Sequence, residues 1–173
     1  MKFKIFTITL SFVFLLSPLL HSQAEPKKKF LVLGFQSKLI NDLQDRLIRE
    51  ELMRELVKSG YNIVPVMELE SAAYDENAPL KDFRNIKEPA AVSLANRFNA
   101  KYVLFGKIYT KNKSVNSISA GKKFNCSLRF YSVEKKKFTD ISFEIDGSEK
   151  FYDFTVAISK KCMIEISEKI KEM

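Results

Sequence analysis

The sequence predicts an α/β (α+β) domain: a single mixed sheet of about five strands, in the order β-α-β-α-β-β-β-α, with helices packed on it. Three observations carry this. FLVLGF (Phe30–Phe35) and YVLF (Tyr102–Phe105) are short, nearly continuous apolar runs, as expected of strands covered on both faces. Segments with apolar residues at helical spacing separate the early runs. Toward the C-terminus, FNCSLRFYSV and FTDISFEIDG flank the turn EKKK, and the first alternates cleanly, which marks an antiparallel hairpin.

The first residues, MKFKIFTITLSFVFLLSPLLHSQA, come before this domain. Lys2 and Lys4 form a positive start, Ile5–Leu20 is uncharged and mostly apolar, and Ser22 and Ala24 supply small residues before a cleavage point between Ala24 and Glu25. The apolar run is shorter than the roughly 20 residues of a spanning helix and contains Pro18. A cleaved secretory signal over 1–24 is therefore expected, rather than an uncleaved anchor, with one domain over 25–173. The protein is expected to be exported, to the periplasm, the cell surface or the medium.

The elements follow in order. NDLQDRLIREELMRELVKSG reads as a helix, with Asn41 and Gln44 spaced for a capping box and Gly60 suited to follow the last turn. Leu43, Leu47, Leu52 and Leu56, helped by Ile48 and Met53, are expected in the core. Arg46, Arg49, Glu50, Arg54 and Glu55 are expected in water, with Glu50 pairing to Arg54. YNIVPV (Tyr61–Val66) reads as a second strand, with Pro65 at its end or on an edge. Residues 67–88 read as a short helical turn near Met67–Ala73 followed by a polar loop. Pro89 can open the next helix, whose inner face is Ala91, Leu94, Ala95 and Phe98, and Asn99 suits a left-handed cap. The strand KYVLFGKIYT is apolar on both faces over its first half, so it should be central. The last helix, from about Phe151, places Phe154, Ile158, Cys162, Ile166 and Ile170 on one stripe.

Composition removes several functions. The only histidine, His21, lies in the signal, so the exported part has none. A serine or cysteine nucleophile activated by imidazole is excluded, and any catalysis would fall to carboxylates or lysine. The five glycines, at 34, 60, 106, 121 and 147, are too scattered for a phosphate loop. Two cysteines are too few for the usual zinc sites. The expectation is a protein without catalytic residues, cofactor or metal.

LANRFNAKYVLFGKI, running from a helix through a small-residue break into a strand, resembles a signature of bacterial envelope domains. The matching residues are Leu94, Ala95, Ala100, Tyr102, Val103, Leu104, Gly106 and Ile108. That group includes the N-terminal domain of the periplasmic Tol propeller protein, the curli-secretion lipoprotein and the lipoprotein activators of penicillin-binding proteins. LVKSGYNIVPV and LRFYSVEKKKF are similar to its strand entry and hairpin. The resemblance implies binding to other envelope proteins rather than turnover. No propeller is expected after the domain, no lipid anchor at a cysteine after the apolar run, and no pair of long hairpins that could build a pore.

Cys126 and Cys162 both fall on inward faces, and two readings stay open: a disulfide, or two buried thiols. Lysines gather at 111, 113, 122 and 123 and again at 135, 136 and 137. Lys111, Lys113, Lys122, Lys123, Lys135, Lys136 and Lys137 are candidate binding loops for acidic partners, such as anionic lipid or acidic glycan. The two groups should cap opposite ends of one strand, which argues against a continuous nucleic-acid groove. The function expected is an adaptor or accessory domain of a bacterial envelope. The alternative is an adhesin binding host matrix or plasma proteins through the lysine-rich loops.

Overall fold

The computed structural model describes residues 28–75 and 88–172. The expected cleavage point at Ala24 and Glu25 lies outside these residues, as does most of the polar loop expected before Pro89. Strand β1 is Lys29–Gln36, helix α1 Asp42–Lys58, strand β2 Asn62–Ile63, helix α2 Val66–Asp75 and helix α3 Glu88–Arg97. Strands β3 (Tyr102–Tyr109), β4 (Lys123–Ser132) and β5 (Lys137–Asp146) follow, then helix α4 (Phe151–Lys171).

The five strands form one sheet in the order β2-β1-β3-β4-β5. β1 is parallel to β2 and β3, while β3, β4 and β5 are successively antiparallel. The doubly apolar strand β3 is central, as its sequence requires. Parallel neighbours need long crossovers. α1 makes one on the first face of the sheet, and α2 with α3 make the other on the second face.

Each face has its own core. On the first, Phe30, Val32, Leu104, Leu128 and Phe130 of the sheet meet Ile48, Leu52 and Leu56 of α1 and Phe154, Ile158 and Ile166 of α4. On the second, Leu31, Leu33, Val103 and Phe105 meet Leu69, Ala72, Ala91, Leu94 and Ala95. Each fully buried large side chain stabilises the fold by about 1.5–3 kcal/mol. Alanines on α2 and α3 let these short helices lie close to the sheet. They cover only its parallel half, so the second face of β4 and β5 carries Arg129 paired with Asp140 and Lys123 paired with Glu144.

A bulge explains a signature residue. The β1–β3 register slips by one between Val32, opposite Leu104, and Phe35, opposite Gly106. Alternation would send Phe35 to the second face; the extra residue returns its ring to the first core. That ring lies where a Cβ on residue 106 would be, so the position must be glycine. Beyond the bulge, the Phe35 amide donates to Asp45 Oδ1 of α1 at 2.6 Å.

Local signals behave as their chemistry dictates. Asn41 and Gln44 form the capping box, at 2.9 and 3.0 Å. Asn99 and Gly60 have φ of 50° and 88°, as left-handed caps do.

Three expectations fail. The second strand is only two residues long, because Pro65 offers no N–H to extend the ladder and its carbonyl instead accepts from Leu69 as a helix begins at Val66. Leu43 and Leu47 are not in the core, whereas Arg49 is buried. Glu50 does not pair with Arg54: Glu50 meets Arg46, and Arg54 meets Glu51 one turn back.

The strand β5 closes the sheet, and among the described residues none pairs with its outer edge. Its odd-numbered residues bond to β4, a phase set by Gly147 N–H donating to the Lys122 carbonyl at 2.7 Å. The main-chain groups of Phe138, Asp140, Ser142, Glu144 and Asp146 therefore point away from the sheet.

Candidate functional site

The carboxyl ends of β1, β2 and β3 lie together at one end of the sheet, where α1 and α2 also begin. Two features share this rim. The first lies between the helices. Arg49 Nε approaches Asp45 Oδ2 at 3.2 Å and its Nη2 donates to Glu70 Oε1 of α2 at 2.6 Å. Arg46 reaches the other oxygen of Glu70 at 3.5 Å. Asp45 and Arg49 are 1% and 2% exposed. The network ties the β1 backbone, through Phe35, to both helices. It also fixes the rotation of α1: with Asp45 and Arg49 turned inward, Leu43 and Leu47 face water.

The result is an apolar surface around a charged centre. Leu43 is 67% exposed and Leu47 39%; on α2, Met67 is 75% exposed and Tyr74 86%. Leu43, Arg46 and Glu70 line one shallow groove of about 420 Å³. Met67 and Tyr74 stand three and four positions from Glu70, on the same side of α2. Isolated exposed apolar residues are ordinary. Here Leu43 lines the groove itself, and Met67 and Tyr74 are exposed on the helix that supplies Glu70 to it.

The second feature is an open cleft of about 710 Å³ between the ends of β1 and β3. Its lining includes Lys38, Lys107, Lys113, Ser37, Tyr109 and Asn112. The Lys107 ammonium lies 5.3 Å from the centre of the Tyr109 ring.

The lysines singled out in the sequence divide three ways. Lys113 lines this cleft. Lys111, Lys122 and Lys123 border a shallower hollow beside it together with Glu144, to which Lys123 is bonded at 2.8 Å. That partner raises the Lys123 pKa, by hydrogen bond first and charge second, and Lys123 lowers that of Glu144 by the same causes. Lys135, Lys136 and Lys137 sit at the far end of β4, in and just after the turn. Lys38 and Lys107 escaped the sequence reading because neither belongs to a lysine cluster; only the fold brings them to Lys113. The apolar patch escaped it because an exposed leucine at helical spacing looks like a core leucine.

Cys126 and Cys162 are buried free thiols in the first core. They face each other, and the Cys126 thiol is pushed well above its ordinary value, by burial first and then by its hydrogen bond with Cys162. Among the described residues no group of three or more His, Cys, Asp or Glu could hold a metal, and no helix is long and apolar enough to cross a membrane.

No protein-family model and no curated protein matches the sequence. The fold does match solved structures. The LpoB C-terminal domain from Salmonella enterica superposes with a TM-score of 0.50 at 16% identity, over 69% of this chain and 82% of that one. The lipoprotein GNA1162 from Neisseria meningitidis superposes with a TM-score of 0.51 at 13% identity, over 69% and 81%. At such identities the likeness is one of fold, and it is similar to the envelope domains that the segment from Leu94 to Ile108 resembles.

Proposed function

We propose that this is an exported, non-enzymatic adaptor domain of a bacterial cell envelope, docking a partner protein through the face shared by α1 and α2. The observation that carries it is the exposed Leu43 beside the Arg46–Glu70 pair, with Met67 and Tyr74 exposed on the adjoining helix α2. Interfaces draw their energy from a few aromatic, Met and Arg side chains at the centre of such a patch. The network beneath holds the two helices in fixed relation, so little ordering cost remains for binding. The signal-like start, the lack of histidine after residue 21 and the resemblance to envelope domains support the same reading. Binding of host matrix, plasma proteins or glycans by the lysine loops draws no support from the fold neighbours, and those lysines lie at both ends of β4.

The test is site-specific photocrosslinking in intact cells, with the photoreactive residue at 43, 74 or, as an exposed apolar control on α4, 152. A discrete envelope protein captured from 43 and 74 but not from 152 is expected. Capture that is equal at all three positions, or absent from 43 and 74, would overturn the docking face.

A further inference from the structure

The cleft between β1 and β3 has features that the α1–α2 docking face does not explain. In open sheets, ligands settle outside the carboxyl ends of strands whose connections leave in different directions. That is the situation here: after β1 the chain turns into α1 over the first face, and after β3 it runs into the 110–122 loop toward β4. The cleft's volume of about 710 Å³ is that of a small-molecule site.

Its chemistry is one-sided. No Asp or Glu is among the lining residues. Lys38, Lys107 and Lys113 arrive from three separate segments, and among the described residues none of them is paired with a carboxylate. Three of the side-chain acceptor oxygens, those of Ser37, Thr110 and Asn112, are already engaged locally. Ser37 Oγ accepts from the Leu39 amide at 3.0 Å. Thr110 Oγ1 accepts from the Asn112 amide at 3.2 Å. Asn112 Oδ1 accepts from the Ser114 amide and hydroxyl at 3.0 and 2.7 Å. Donors therefore outnumber free acceptors: the Ser37 hydroxyl, the Asn112 amide NH₂ and three ammonium groups donate, while the Gln36 amide and the Tyr109 hydroxyl, which also line the cleft, can do either. Lys107 is already held over Tyr109. Water satisfies donors and acceptors alike; a set of donors around unneutralised positive charge matches an oxyanion.

We infer that this cleft binds a phosphate group, carried either by a small soluble molecule or by a lipid headgroup. Carboxylates satisfy fewer donors than the three terminal oxygens of a phosphate, and three lysines match its second charge.

The test uses the mature chain and two probes. In the first, inorganic pyrophosphate is titrated while backbone amide shifts are followed. Saturable shifts are expected at Ser37, Lys38, Lys107 and Asn112. Lys38→Gln and Lys107→Gln should each weaken the affinity about fivefold, while Lys135→Gln at the far end of β4 leaves it unchanged. In the second, sedimentation with phosphatidylglycerol vesicles is compared with phosphatidylcholine vesicles. Binding to the anionic vesicles that Lys107→Gln reduces assigns the phosphate to a headgroup. Pyrophosphate shifts without vesicle binding assign it to a soluble compound. The inference is overturned if neither probe responds to Lys107→Gln, or if Lys135→Gln weakens binding as much as the cleft variants do. These substitutions leave the α1–α2 face intact, so either reading can fail alone.

Discussion

Helices α1 and α4 lie side by side on the same face of the sheet, held near their middles by Ser159 Oγ donating to the Ile48 carbonyl at 3.4 Å. They use their apolar residues differently. α4 buries Phe154, Ile158, Cys162 and Ile166 on one stripe at intervals of four. α1 buries Leu52 and Leu56 in its second half, but in its first half Ile48 shares the inner face with Asp45 and Arg49, and Leu43 and Leu47 stay in water. On α4 the inward stripe is apolar throughout, although Tyr152 and Ile164 of the same helix are exposed. On α1 the inward stripe turns charged toward the N-terminal end, where the proposed docking face begins. The difference arises at the bulge in β1, whose freed Phe35 amide needs an acceptor and finds it in Asp45.

Substitutions can break this contrast. The largest effect is expected on α4: Phe154→Ala should cost about 3–5 kcal/mol in the free energy of unfolding measured with denaturant. Arg49→Ala should cost about 3 kcal/mol, because it leaves the Asp45 charge buried beside an apolar core. Asp45→Asn combined with Arg49→Met should recover most of that loss, since asparagine still accepts from the Phe35 amide. If the double variant is no better than Arg49→Ala, the network is not what sets the rotation of α1. Leu47→Ala, four residues after Leu43 and expected in the core on sequence alone, should change stability by no more than about 0.5 kcal/mol. A core-sized loss would return it to the wall of the helix.

The smallest effect is electrostatic and provides the solvent-exposed reference for Arg49–Asp45. Lys123 holds the Glu144 carboxyl below its ordinary value, through a hydrogen bond first and charge second. A depressed folded value means that the pair's contribution is present above the ordinary carboxylate range and is lost as pH falls through the folded value. In an NMR titration, Glu144 should return to the ordinary range in Lys123→Gln, with little change in thermal unfolding at neutral pH.

What was legible in the sequence follows from how local each cause is. The capping box, the left-handed Asn99 and the α4 stripe depend on residues a few positions apart, and all were readable. So was the central place of β3, because both its faces are apolar. The rotation of α1 was not, since it depends on a bulge in one strand and on Glu70 from a later helix. A stripe of leucines carries no mark of which turns will meet the sheet. The brevity of β2 was half visible in Pro65. The convergence of Lys38, Lys107 and Lys113 depends on the pairing of β1 with β3, which sequence spacing does not encode.

The free edge of β5 has a consequence for how these molecules behave when crowded. If two copies met edge to edge, antiparallel about Ser142, Asp140 of each would lie opposite Glu144 of the other. Carboxylate would then face carboxylate on either side of the central Ser142 pair, in competition with the bonds that Asp140 and Glu144 make to Arg129 and Lys123. The arrangement discourages edge-to-edge self-association. The same strand keeps its outward amides open to a strand of opposite charge.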